Sequence, residues 1–189
     1  EDWRGQIMQH LLQTEGIETK GLTVDRERRT MTYVKPILHG YDSEQEDARL
    51  DFENFAPLPA RLEARLIETL QDLVPQCQAV LIADQSEVGG VVSERLRVAL
   101  NQLAEAHPSC IFVADSRRRI GQFRQMYLKP NITETLHATG LGNGESTLTL
   151  LQQAGQTLAR QAGRAVFLTR SEAGILRGDG ESALLSPGR

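Results

Sequence analysis

The chain has 189 residues, 40% hydrophobic and 24% charged, with a net charge of −4, which suits one globular domain or a core with a small appendage. A mildly acidic chain gives no support to nucleic-acid binding, no apolar run is long enough to span a bilayer, and without a basic-then-apolar pattern no signal peptide is expected. Cys77 and Cys110 lie in or beside apolar segments and read as buried, reduced thiols, so the expected location is the cytoplasm.

Trp3, Ile7 and Leu11 recur at helical spacing over residues 3–15, and Gly16 is the predicted stop. Short alternating segments follow at 22–24, 31–38 and 48–52. In R-L-D-F-E (49–53) charged side chains alternate with Leu50 and Phe52, the period of a strand with one wet face. A small antiparallel sheet or flap is expected here. Pro57-Leu58-Pro59 marks a change of texture, dividing the chain into 1–56 and 57–189.

Beyond it the pattern predicts a helix at 60–73, a strand at 79–84, a helix at 93–105 and a strand at 110–115. A short helical stretch at 118–123 precedes a strand at 125–129. Helices at 131–138 and 145–162, a strand at 165–169 and a hairpin around Gly178-Asp179-Gly180 complete the series. Strands alternating with helices mean βαβ units and a mostly parallel sheet, hence an α/β fold. The near-continuous apolar strands predict cover on both faces. Right-handed crossovers bring Asp84, Asp115, Asn131 and Thr169 to one sheet edge, the geometry of a ligand crevice.

K-P-N-I-T-E (129–134) admits two readings. Asn131 is a good N-cap, and Glu134 three residues on completes a capping box. Alternatively Asn131 marks an anion-attracting helix start, and Glu134, one turn in, holds Mg²⁺ through water. In T-R-S-E-A-G (169–174) hydroxyls and amides either cradle a phosphate or form an ordinary strand-to-hairpin turn. G-L-G-N-G (140–144) follows a helix rather than a strand, so it reads as a flexible connector, and no Walker A sequence is present. Arg117, Arg118, Arg119 and Arg124 read as a solvated helix face or as holders of an anionic ligand. The four histidines share no metal-ligand spacing.

In order along the chain, these segments resemble the landmarks of the ribokinase/PfkB carbohydrate kinases. The opening stretch, ending G-I-E-T, resembles the family's "G-(I/V)-x-T". T-M-T-Y-V-K and R-L-D-F-E are similar to the lid strands with "R-x-D-x-E", best matched in the heptose-phosphate kinase branch. V-L-I-A-D, F-V-A-D-S-R, K-P-N-I-T-E and F-L-T-R-S-E-A-G resemble "V-(V/L)-x-S-D-Y", "D-x-(K/R)", "P-N-x-x-E" and "(V/L)-T-x-G-x-x-G".

The resemblance implies a ribokinase-like fold with a β flap as lid, and ATP and Mg²⁺ as cofactors. Asn131 and Glu134 would lie near the ATP phosphates and organise Mg²⁺. Thr169 would approach the nucleotide, with Ser171 and Gly174 shaping the loop. The flap, with Thr32, Lys35, Arg49 and Asp51, would close over a sugar, and a homodimer would pair flaps between subunits. The departures also carry expectations. The family's catalytic Asp, in "G-A-G-D", is expected beyond Arg189, and the N-terminal sugar-binding segment with its paired glycines is absent. D-Q-S-E-V-G-G (84–90) lacks the family's Lys, and Ser171 stands where Gly is common. The expected function is therefore the central segment of an ATP-dependent sugar kinase, without turnover as 189 residues alone. The alternatives are a non-catalytic nucleotide- or sugar-binding sensor, and an unrelated α/β binding domain with no nucleotide at that edge.

Overall fold

The computed structural model describes residues 2–142, 146–186 and 188. The chain forms two compact units, one running to Pro57 and the other starting at Leu58. No helix among the described residues is long and apolar enough to cross a membrane.

The first unit starts with α1 (Trp3–Thr14). Asp2 is its N-cap: the carboxylate accepts the Gly5 amide at 2.9 Å and the Thr30 amide at 3.0 Å, so one side chain both starts the helix and ties it to the chain ahead of the flap. Four short strands follow: β1 (Thr32–Val34), β2 (Ile37–His39), β3 (Glu44–Glu46) and β4 (Leu50–Phe52). They make one folded ribbon. β2 pairs β3 around a turn in which the Gly40 amide meets the Ser43 carbonyl, and β1 pairs β4. Val34 faces Leu50 and Ile37 faces Glu46, so Lys35 and Pro36 oppose Asp47, Ala48 and Arg49. That is one extra residue on the returning arm, a bulge that bends and twists the ribbon.

The alternation at 22–24 does not become a strand; three residues with no partner strand form a loop instead. Conversely β3, Glu-Gln-Glu, carries no apolar residue to announce it and is held by backbone pairing. No described residue of this unit is fully buried, and Trp3, at 60% exposed, leads an apolar stripe on α1 that stays at the surface.

The second unit is α2 (Ala60–Leu73), β5 (Ala79–Asp84), α3 (Glu94–Ala106), β6 (Ile111–Ser116), β7 (Tyr127–Leu128), α4 (Ile132–Thr139), α5 (Leu148–Ala162), β8 (Val166–Thr169), β9 (Ile175–Gly178) and β10 (Ala183–Ser186). One six-stranded sheet runs β10-β9-β8-β7-β6-β5. β5 to β8 are parallel, and β9 and β10 add antiparallel at one side. The parallel strands follow one another in sequence order. With right-handed crossovers, an order that always advances the same way puts every helix on the same face.

The core shows this. Ile82, Phe112, Ala114, Leu128 and Val166 from that face pack with Leu96, Leu100, Leu103, Leu158 and Ala162 of α3 and α5. Leu168 and Leu176 pack with Leu136 and Leu151 of α4 and α5. The other face corrects the expected two-sided cover. Leu81 is 81% exposed and Ile111 51% exposed, because no reversal of strand order occurs within the sheet to send a helix across it. α5 comes closest to the sheet at glycines: a Cβ on Gly178 would stand 2.8 Å from the Gly155 carbonyl carbon.

The cysteines are both free; Cys110 is buried as expected, and Cys77 is exposed because it follows the short 3₁₀ turn Val74–Gln76 at the unit's surface. Gly140, at φ 70°, terminates α4, with the Leu141 amide reaching back to the Leu136 carbonyl. The rest of the connector reading falls on Asn143 and Gly144, which lie outside the described residues, as does Glu145 at the predicted helix start.

Candidate functional site

Pro130 has no amide hydrogen and disfavours helix in the residue before it, so the chain leaves β7 extended and turns helical just beyond. Asn131 is extended and caps α4: its Oδ1 accepts the Glu134 amide at 2.8 Å, and Glu134 Oε2 accepts the Asn131 amide at 2.8 Å. The capping box is complete, yet it uses only half of each side chain. Glu134 Oε1 and Asn131 Nδ2 have no partner among the described residues.

Thr169 ends β8 beside this helix start. It forms a parallel bridge with Asn131, its amide donates to the Pro130 carbonyl at 2.8 Å, and its hydroxyl donates to the same oxygen at 3.3 Å. The loop that follows closes on itself: the Arg170 amide meets the Gly174 carbonyl, and the amides of Ala173 and Gly174 meet the carbonyls of Arg170 and Ser171. The amides of Ser171 and Glu172 remain unspent. Ser171 sits at φ 50° and Gly174 at φ 86°, left-handed positions that turn the loop sharply. Successive amides around a left-handed residue form a concavity suited to an anion. Asn131, Glu134, Thr169, Ser171 and Gly174 therefore share one corner of the sheet. A cation that the sequence reading passed over joins them: the Arg170 Nε is buried without a partner. Nothing in its spacing marked it out.

No three His, Cys, Asp or Glu side chains among the described residues stand close enough to hold a metal alone. One unspent carboxylate oxygen at the start of α4, on the same sheet corner as a loop with unspent amides, fits Mg²⁺ that arrives with phosphate and keeps its waters.

The remaining strand ends behave differently. Asp84 is only 3% exposed and fully committed. Arg119 grips it with Nε at 3.0 Å and a terminal nitrogen at 2.7 Å, and the Ser116 hydroxyl donates to it at 2.6 Å. Asp84 is therefore a structural anchor rather than a ligand group at the edge. Asp115 lies on the open face, 2.8 Å from the Lys129 ammonium. The arginine cluster is no solvated helix face: Arg117 and Arg118 leave a turn after β6 and clasp Gln85 and Glu87 of the loop after β5, and Arg119 clasps Asp84 at the end of that strand.

In the ribbon, Lys35 pairs with Glu46 at 2.9 Å, and Arg49 holds Asp51 through two bonds, at 2.6 and 2.8 Å. The Arg49 guanidinium lies 4.9 Å from the Tyr33 ring centre. The Thr32 hydroxyl donates to the Thr30 carbonyl. Strand alternation puts Tyr33, Asp51 and Arg49 on one side of the ribbon and Thr32 on the other.

No protein-family model matches the chain. Among known proteins it is 29% identical over 150 residues to the bifunctional protein HldE of Wolinella succinogenes, covering 78% of this chain and 30% of that protein. It is 27% identical over 188 residues to the bifunctional protein HldE of Trichlorobacter lovleyi, covering 96% of this chain and 36% of that one. The chain thus spans about a third of the length of these relatives. Among solved structures, phosphofructokinase-2 from Escherichia coli in complex with fructose-6-phosphate superposes with a TM-score of 0.66 at 15% identity, covering 98% of this chain and 59% of that one. The fold is the ribokinase-like one that the ordered sequence landmarks lead to.

Proposed function

We propose that this ribokinase-like chain carries the nucleotide side of a carbohydrate kinase, which transfers the γ-phosphoryl group of ATP to a hydroxyl of a sugar or sugar phosphate. The observation that carries the reading is the junction of two distant segments. Asn131 and Glu134 at the start of α4 meet Thr169 and the Ser171–Gly174 loop, and each segment keeps polar groups that the fold does not use. The sequence likeness to the bifunctional protein HldE supports the same reading.

In this account the Ser171 and Glu172 amides bind phosphate oxygens, and Asn131 Nδ2 orients them. Glu134 Oε1 holds a water of Mg²⁺. The metal, when bound, neutralises charge building on the transferred phosphoryl group. Gly174 lets the loop turn without a side chain in the way. Thr32, Lys35, Arg49 and Asp51 belong to a ribbon that acts as a lid, excluding water from the transfer. Two copies pair through this ribbon, whose exposed Ile37, Leu38 and Leu50 otherwise face water. Unpaired Cys77 and Cys110 suit a reducing cytoplasm.

The discriminating variant is Glu134→Gln. Glutamine serves the capping box as well as glutamate does, so stability should change by less than about 0.5 kcal/mol. Loss of the charge should weaken Mg²⁺-dependent ATP binding about tenfold or more by calorimetry. Unchanged ATP binding in a folded Glu134→Gln protein would return Glu134 to capping alone.

A further inference from the structure

A guanidinium meets an anion well through one edge, Nε with the terminal nitrogen Nη2 beside it. The two N–H bonds there are parallel and match two oxygens of a carboxylate or phosphate. Arg49 gives that edge to both oxygens of Asp51, and Arg119 gives it to both oxygens of Asp84. Arg170 gives it to nothing. Its side-chain hydrogen bond runs from the other terminal nitrogen, Nη1, to the Ala173 carbonyl of its own loop at 3.4 Å. Its Nε is buried without a partner, and its Nη2 has none among the described residues. A buried N–H with no acceptor costs free energy, more so when it belongs to a charged group.

The backbone that carries this edge is fixed. Arg170 follows Thr169, which bridges to Asn131, and its own amide donates to the Gly174 carbonyl at 2.8 Å. The unspent amides of Ser171 and Glu172 come directly after it. The charge at the corner also calls for a cation. Glu134 and Glu172 repel a polyphosphate, and backbone amides offer only partial charges. Lys129, two residues before Asn131, is held by Asp115 at 2.8 Å. Of the side chains gathered at this corner, Arg170 brings the positive charge.

We propose that the Nε–Nη2 edge of Arg170 takes two oxygens of one nucleotide phosphate group, so that this residue makes the corner selective for the charged part of the ligand. The proposal rests on the kinase reading of the corner and adds a contact to it. The test is calorimetric titration of the full chain with Mg·ATP, for wild type, Arg170→Met and Arg170→Lys. Amide exchange of the three proteins without nucleotide accompanies it. Methionine keeps an unbranched stem and removes the charge. Lysine keeps the charge and loses the paired edge.

Arg170→Met should weaken Mg·ATP binding about tenfold or more, the loss typical of a hydrogen bond to a charged group. Arg170→Lys should recover no more than part of it. Without nucleotide, exchange at residues 171–174 should match wild type in both variants, because the loop is closed by its own backbone bonds. Wild-type affinity in Arg170→Met would overturn the contact and leave the corner standing. Wild-type affinity in Arg170→Lys would also overturn it, since a point charge would then suffice. Weakened binding with faster loop exchange in the free Arg170→Met protein would make the arginine a brace for the loop and overturn its role toward phosphate. No binding of Mg·ATP by wild type would overturn the contact and the kinase reading together.

Discussion

Glu134 can serve a helix and a ligand together because a carboxylate has two oxygens and a capping box needs one. The sequence spacing of Asn131 and Glu134 made both roles legible, and the geometry makes them compatible. Other residue-level features were hidden. The grip of Arg119 on Asp84 depends on how β5 and β6 align, which places Ser116 opposite Asp84; no local pattern encodes that. Ser171 was visible as a departure from glycine, and its φ of 50° shows what the departure costs. A left-handed residue with a Cβ is strained by about 1–2 kcal/mol, partly offset by the chain entropy that glycine loses on folding. Ser171→Gly should therefore raise stability by up to about 1 kcal/mol in denaturant unfolding. A loss of that size would mean that the hydroxyl makes a stabilising contact of its own.

Asp2 offers a prediction in pH. Hydrogen bonds from the Gly5 amide and then the Thr30 amide hold its pKa at about 2, below the ordinary 3.8. A depressed carboxylate pKa contributes stability above the unfolded value and loses it as pH falls through the folded one. The advantage of wild type over Asp2→Asn, followed by amide exchange in α1, should be constant above about pH 4 and shrink between about pH 4 and pH 2. A difference that stays constant across that window would remove the charge from the account.

At the scale of elements, the βα series after Pro57 was readable because its periods are strong: the helix at 60–73 and the strand at 79–84 fall where their patterns place them. The ribbon was only half readable. β3 is too polar, and the bulge opposite Pro36 breaks the alternation between strands. The open sheet face escaped because an apolar run reports composition and not cover. Leu81 and Ile82 are neighbours in one strand, yet Ile82 is in the core and Leu81 faces outward. Leu81→Lys should accordingly leave the stability of the chain within about 0.5 kcal/mol in urea unfolding, as at other uncovered positions. A loss of 2 kcal/mol or more, the cost typical of a core position, would show that something covers this face.

At the scale of the whole molecule, the chain is two units with different physics. The sheet unit has a continuous core, and the ribbon unit has none among its described residues. Under the proposed function, the sheet unit is the one that binds nucleotide. The most direct test follows amide hydrogen exchange with and without Mg·ATP. Slowed exchange at Ser171 and Glu172, together with the start of α4 at Asn131–Glu134, is the predicted result. Binding of Mg·ATP that leaves these amides unchanged and protects another surface would contradict the site.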